Sequence, residues 1–187
     1  MQAFSFNSRI LDGKQEIVLK GKAQTMPESP LQRRQLTIGV VSDTHGLLRP
    51  SAAEALAGSD LIIHAGDIGS PQVLDWLSGI APVVAVRGNT DHGEWLTGIP
   101  ATEVVEVGGC HVYILHDLHR LDLDPAVAGM SVVISGHSHQ PAVFEKHGVV
   151  YLNPGSCGPK RFKCPVSVAR LRIKNGIPEA ELVALPE

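Results

Sequence analysis

The chain has 187 residues, 43% of them hydrophobic, and a formal net charge of −3 at neutral pH. That length and apolar content suit one domain with a sizeable core, and the charge balance leaves no electrostatic footprint for nucleic acid or for an anionic membrane. Three scattered cysteines (Cys110, Cys157, Cys164) exclude a disulfide scaffold, no apolar run reaches the roughly 18 residues of a membrane span, and the amino terminus lacks a continuous apolar export stretch, so a cytoplasmic protein with no membrane partner is expected.

Residues 1–35 differ in style from the rest of the chain and are read as an amino-terminal extension and linker. Phe4–Ile10 and Gln15–Leu19 flank Asp12-Gly13, a turn dipeptide, which suggests a hairpin. Thr25 to Arg34 is a polar, proline-containing linker that need not be structured. Its composition favours an appendage of no chemical consequence over a docking segment.

From Leu36 the pattern alternates, and residues 36–187 are read as one domain. A short buried strand over 36–42 leads into an Ala-rich helix that starts at Pro50-Ser51 and stops at Gly58. A second strand (Leu61–His64), a helix near Pro71–Leu77 and a third strand (Val83–Val86) come after it. We read them as three βαβ units in succession, with parallel pairing and right-handed crossovers. The second half has little helix: strands at Val104–Val107 and His111–Leu115 bracket Gly108-Gly109, and more lie at Val132–Ser135, Val143–Lys146, Val149–Leu152 and Val166–Ile173. The expected architecture is α/β, a four-layer αββα sandwich of two mixed β-sheets flanked by helices.

The strands end in polar residues of one chemical kind. The first gives Asp43 and His45, the second His64 and Asp67, the third Asn89 and Asp91, and later ones His116 and then His137 and His139. In α/β sheets ligands bind outside the carboxyl ends of the strands, where these groups would collect. Oxygen and nitrogen donors without a thiolate suit manganese, iron or zinc better than calcium or a soft metal. Seven of them (Asp43, His45, Asp67, Asn89, His116, His137, His139) exceed one tetrahedral site. Two metals about 3.5 to 4 Å apart would use them all, the usual equipment for displacement at phosphorus.

Asp43-x-His45, Gly66-Asp67, Gly88-Asn89-x-Asp91, His116 and Gly136-His137-x-His139, in this order and with Asn153-Pro-Gly-Ser156 after them, resemble the calcineurin-like metallophosphoesterases, in particular their small bacterial and archaeal phosphodiesterase branch. The resemblance covers nearly everything after residue 35 and implies the αββα sandwich. It implies Asp43, His45, Asp67 and His139 on one metal and Asp67, Asn89, His116 and His137 on the other, with Asp67 as bridge. The cofactors expected are two divalent ions, manganese first, with zinc, iron or nickel as alternatives. The expected activity is hydrolysis of a small phosphate ester, most of all a phosphodiester, by a hydroxide bridging the metals. Other readings are a phosphomonoesterase or nucleotidase, or a non-catalytic scaffold like the retromer coat subunit of the same fold. Homo-oligomer formation stays open.

Two positions depart from the family pattern. Strong monoesterases of the family carry a proton-donating histidine directly after the motif asparagine, where this chain has Thr90. The block around the sixth ligand, often His-Gly-His in the small branch, reads His116-Asp117-Leu118-His119. Among the other polar residues, His64 is read as a group orienting a ligand or a hydrogen-bonded core histidine, and Asp91 as the holder of a ligand histidine or a cap on its segment. His92 is read as an exposed loop residue before a displaced proton donor, His111 and His147 as solvated, and Arg87 as phosphate contact or structural ion pair. Cys157 is expected to fill space near the site rather than react.

Overall fold

The structure, a computed structural model, describes residues 6–11, 14–19, 35–161 and 164–186. Strands β1 (Phe6–Leu11) and β2 (Lys14–Leu19) pair antiparallel as a two-stranded sheet with Leu11 opposite Lys14, the hairpin that the sequence suggests. Its Asp12-Gly13 turn and the linker at 25–34 lie outside the described residues.

The main domain opens with β3 (Gln35–Val41), α1 (Pro50–Leu56), β4 (Leu61–His64), α2 (Pro71–Ser78) and β5 (Val83–Ala85). The three strands pair in parallel, but they make two βαβ units rather than three. Between β5 and the next strand the chain holds Gly93, Gly98 and Pro100 and no apolar helical repeat, and it forms only a 3₁₀ turn at Glu94–Leu96. Then come β6 (Thr102–Val107), β7 (Cys110–Leu115), β8 (Val132–Ile134), β9 (Ala142–Lys146), β10 (Val149–Asn153), β11 (Ser167–Lys174) and β12 (Ile177–Ala184). One five-stranded sheet has the order β12-β11-β3-β4-β5 and the other β6-β7-β8-β10-β9. Each mixes parallel and antiparallel pairs, as expected.

Strand alternation explains the layering. Ile38 and Val40 of β3, Leu61 and Ile63 of β4, Val112 and Ile114 of β7, Val132 and Ile134 of β8 and Leu171 and Ile173 of β11 turn inward and form the core between the sheets. Val41, Ile62 and Val168 turn outward and pack with Ala52 and Leu56 of α1 and Val73 and Leu77 of α2. Truncating an inward residue such as Ile63 to alanine costs about 2–5 kcal/mol. The outer face of the second sheet, with Tyr113, Leu115 and Val133, is covered by Leu118, Leu121, Leu123 and Met130 from the segment after β7. That fourth layer contains a 3₁₀ turn (Leu118–Arg120), and among the described residues both α-helices lie on the first sheet.

Strand β12 goes unseen in the sequence because it is an edge strand with a proline and little apolar alternation. The signal that finds it is Asn175-Gly176, whose φ values of 54° and 76° form the two-residue hairpin turn. Among the described residues no helix is long and apolar enough to cross a membrane.

Candidate metal centre

Five strands run out at one edge of the sandwich: β3 into Asp43 and His45, β4 into Asp67, β5 into Asn89, β7 into His116, and β8 into His137 and His139. The loops after β3 and β4 stay paired beyond their strands. Asp43 N–H donates to Gly66 O at 3.0 Å, His45 N–H to Asp67 O at 3.0 Å and Gly46 N–H to Ile68 O at 2.8 Å. On the second sheet Gly136 N–H donates to His116 O at 2.9 Å.

These loops bring all seven expected ligand residues together. His139 Nε2 lies 3.2 Å from Asp43 Oδ1, and the His45 and His139 rings stack with centroids 5.4 Å apart. Asp67 faces two imidazoles with different oxygens, Oδ1 lying 3.4 Å from His116 Nε2 and Oδ2 lying 3.8 Å from His45 Nε2. Asn89 Oδ1 lies 3.1 Å from His116 Nε2 and 2.9 Å from His137 Nδ1. Asp43, His45, Asp67, His137 and His139 all have φ between 47° and 66°. This left-handed region is uncommon outside glycine and turns up at functional sites.

The donor set fits a cation. His116 Nδ1 lies 2.8 Å from the Ala65 carbonyl, an acceptor, so that nitrogen carries the proton and Nε2 presents a lone pair to Asn89 Oδ1 and Asp67 Oδ1. Asp43 commits Oδ2 to the Ser42 hydroxyl at 2.6 Å and the His137 N–H at 3.1 Å. Its Oδ1, His45 Nε2 and His139 Nδ1 are buried without a hydrogen-bond partner. Orphaned polar atoms cost about 1–3 kcal/mol each; a cation held by Asp43 Oδ1 and His45 Nε2 would satisfy those two, with His139 offering its other nitrogen, Nε2, beside Asp43 Oδ1. Among the described residues two groups could bring ligand atoms within 4.8 Å of one another, Asp43 with His45 and His139, and Asp43 with Asp67 and His116.

Burial raises the Asp43 carboxyl, against the Ser42 hydrogen bond and the nearby His116 and His139. Burial pushes Asp67 the same way, but an Nε2–H of His116, present when that ring is doubly protonated, and the Thr90 N–H outweigh it and hold that carboxyl well below the ordinary range. Asp67 is thus the firmer anion. Burial lowers His139, with Arg161 and His45 adding to the fall against Asp43. Burial would lower His116 too, yet the Asp67 carboxylate facing Nε2 and the Ala65 carbonyl facing Nδ1 both favour the doubly protonated ring and raise it.

Most flanking residues take the structural one of their sequence readings, and Arg87 takes neither of its two. His64 touches no ligand side chain: its Nε2 lies 2.8 Å from the Thr44 hydroxyl, and its Nδ1 accepts Gly66 N–H at 3.2 Å. It braces the loop of Asp43 and His45 against that of Asp67. Asp91, expected to hold a ligand histidine, instead accepts the backbone N–H groups of Gly69 and Gly88. Two backbone donors have taken both of its oxygens. The Arg87 guanidinium donates to the Ile99 carbonyl rather than to an acid. His92, His111, His119 and His147 are exposed. Cys157 is buried and its thiol is pushed up to about 12 by desolvation, so it fills space.

Sequence reasoning missed the braces. Ser42 donates to Asp43 Oδ2 and to the Gly155 carbonyl, Ser156 donates to the Asp43 carbonyl, and Asn153 Nδ2 donates to the Gly136 carbonyl at 2.7 Å. The Asn153-Pro-Gly-Ser156 loop therefore clamps the ends of β3 and β8 together. Its signal is visible as a motif, but its bonds to the end of β3 span over a hundred residues of chain.

With this geometry in place, comparison with known proteins is direct. Residues 36–176 match the profile of the calcineurin-like phosphoesterase superfamily domain. The chain belongs to that family. It is similar to the "probable metallophosphoesterase" of Methanocaldococcus jannaschii, 34% identical over 166 residues, 81% of this chain and 83% of that one. Among solved structures it is similar to an archaeal phosphodiesterase, with a TM-score of 0.66 and 27% identity over 79% of this chain and 100% of that one. It also shares its fold with vacuolar protein sorting 29 of Cryptosporidium parvum, with a TM-score of 0.66 and 19% identity over 82% of this chain and 99% of that one. The blocks of this calcineurin-like phosphoesterase that are expected to hold metal lie together at the strand ends.

Proposed function

We propose that this metallophosphoesterase hydrolyses small phosphodiesters with two divalent cations, manganese first among them, in the cytoplasm, in keeping with its free cysteines. The observation that carries the reading is the convergence of all seven residues, with buried Asp43 Oδ1 and His45 Nε2 among them lacking a hydrogen-bond partner among the described residues. Asp43, His45, His139 and Asp67 would hold one cation, and Asp67, Asn89, His116 and His137 the other. The two oxygens of Asp67, facing His116 and His45 separately, support its place between them. The cations would supply Lewis-acid stabilisation of charge on phosphoryl oxygens and activation of water at neutral pH.

The chain's own groups prepare that chemistry. Ser42 and the His137 N–H aim Asp43, and the Ala65 carbonyl keeps the His116 proton on Nδ1, away from the site. Thr90 donates its N–H to Asp67 Oδ1 at 2.9 Å, which keeps that carboxylate ionised. Its hydroxyl is too weak an acid to protonate a departing oxygen at neutral pH, so the leaving group departs without help from this position. That favours diesters with stable leaving groups over simple alkyl monoesters.

The test is hydrolysis of bis(p-nitrophenyl) phosphate and p-nitrophenyl phosphate by chelated protein reloaded with manganese, nickel, zinc or magnesium. We expect chelation to abolish turnover, manganese to restore it, and the diester to be cleaved faster. A faster monoester reaction would move the assignment to a monoesterase. Binding of metal without turnover of any ester would make the chain a scaffold.

A further inference from the structure

Asp91 is a carboxylate for which the proposed chemistry has no use, yet it is only 6% exposed. Its Oδ1 accepts Gly69 N–H at 2.8 Å and its Oδ2 accepts Gly88 N–H at 2.8 Å. The two donors belong to different ligand loops, Gly69 following Asp67 by two residues and Gly88 immediately preceding Asn89. Neither glycine has room for a side chain. Gly69 has φ of 83°, and a Cβ there would collide with the backbone of His45 and Gly46, 2.7 Å from His45 Cα. A Cβ on Gly88 would strike the backbone and carboxylate of Asp67, 2.8 Å from its Cγ. The loops of His45, Asp67 and Asn89 thus meet in direct backbone contact, and Asp91 ties the two glycines at the junction.

We propose that Asp91 is a positioning residue for the metal centre, setting the gap between Asp67 and Asn89 and, through Gly69, the seat of His45. The proposal rests on the two-cation reading, since residues of both cation positions hang on this one junction. A carboxylate is required because two N–H donors need two acceptor oxygens. An amide of the same shape offers one, and turns its NH₂ toward the other donor. Asp60 provides the comparison: its Oδ2 accepts Thr37 N–H at 2.9 Å at the opposite ends of β3 and β4.

The experiment is calorimetric titration of the chelated full chain with manganese, for the unmodified protein, Asp91→Asn and Asp60→Asn, beside urea unfolding of each metal-free protein. Residues that orient metal ligands typically change affinity by about 10- to 100-fold. Asp91→Asn should weaken manganese binding by that factor, while Asp60→Asn lowers stability and leaves affinity unchanged. Should Asp91→Asn fail to fold, Asp91→Glu carries the same test, since it keeps the charge and both oxygens but shifts them by a methylene. Unchanged affinity in folded Asp91 variants overturns the proposal, as does an equal loss in Asp60→Asn. A single manganese per unmodified chain would end the two-cation reading, while the affinity comparison at that one site still decides the role of Asp91.

Discussion

Replacing His64 by glutamine tests the electrostatics of the site's support directly. The imidazole is fully buried. Its Nδ1 accepts Gly66 N–H, so its proton sits on Nε2 and goes to the Thr44 hydroxyl, whose own hydrogen goes to the Ile68 carbonyl at 2.8 Å. A second proton would place a charge in the interior and a hydrogen on Nδ1 against an N–H. Burial accordingly depresses this histidine to about 4, while the unfolded chain titrates near 6.5. Between those values the unfolded state binds more protons, so the stabilisation is complete above pH 6.5 and is lost as pH falls toward 4. At about 1.36 kcal/mol per pKa unit the whole effect is roughly 3 kcal/mol, of which about 2 kcal/mol is lost between pH 8 and pH 5. Urea unfolding of chelated protein at those two pH values should show the unmodified chain losing about 2 kcal/mol more than His64→Gln. Any constant cost of the substitution, about 1–3 kcal/mol for disturbed buried hydrogen bonds, cancels in that difference. Equal losses in the two proteins would refute this account, because they would mean that His64 is not held neutral by the fold.

Other substitutions probe the cations and the leaving group. Asp67→Asn should lose more activity than any other single ligand substitution, because it weakens both cation positions, whereas His45→Ala should be partly rescued by excess manganese. An Asp67→Asn protein that keeps two metals and most of its activity removes Asp67 from the bridge. Metal analysis of the reconstituted chain should give two ions, with a higher melting temperature than the chelated form. Thr90→His should accelerate poor leaving groups selectively, by up to the roughly 10²- to 10⁴-fold typical of general acids. If unmodified enzyme shows no dependence on leaving-group pKa, another group already donates the proton, and His92 and His119 are the first to replace by alanine.

The parts of this molecule legible in its sequence share one property, that the signal is local. Ile38–Val41 followed by Asp43 and His45 announces a buried strand with reactive groups at its end, because side-chain chemistry changes abruptly over three residues. The seven residues that converge at the strand ends are readable for the same reason. His64 and Asp91 stand out as supports in the sequence but their partners do not, since each joins a near backbone N–H to a group some twenty residues away, and nothing in an aspartate's neighbours says that it will accept from Gly69 as well as Gly88. Side-chain chemistry alone pairs Asp91 with a histidine; the missing quantity is the count of backbone N–H groups in the sharp loops after β4 and β5. Strand β12 is missed on burial, its Pro178 and exposed Ile177 masking the turn at Asn175-Gly176.

The five left-handed ligand residues bear on how the centre is shaped. Each such conformation costs an L-residue about 1–2 kcal/mol, with aspartate and histidine among the more tolerant types. Together they amount to several kcal/mol that the surrounding fold must offset. The partners that do so are protein groups: Asp67 O for His45 N–H, Asp43 Oδ2 for His137 N–H, and Gly66 O for Asp43 N–H. The backbone of the centre is therefore held by contacts within the scaffold. In the side-chain layer, Asp43 Oδ1, His45 Nε2 and His139 Nδ1 are buried with no hydrogen-bond partner among the described residues. Because the Ser42 hydroxyl and His137 N–H take Asp43 Oδ2, the same braces that hold the left-handed backbone leave Asp43 Oδ1 free for a cation, so backbone strain and the aim of the site have a common origin.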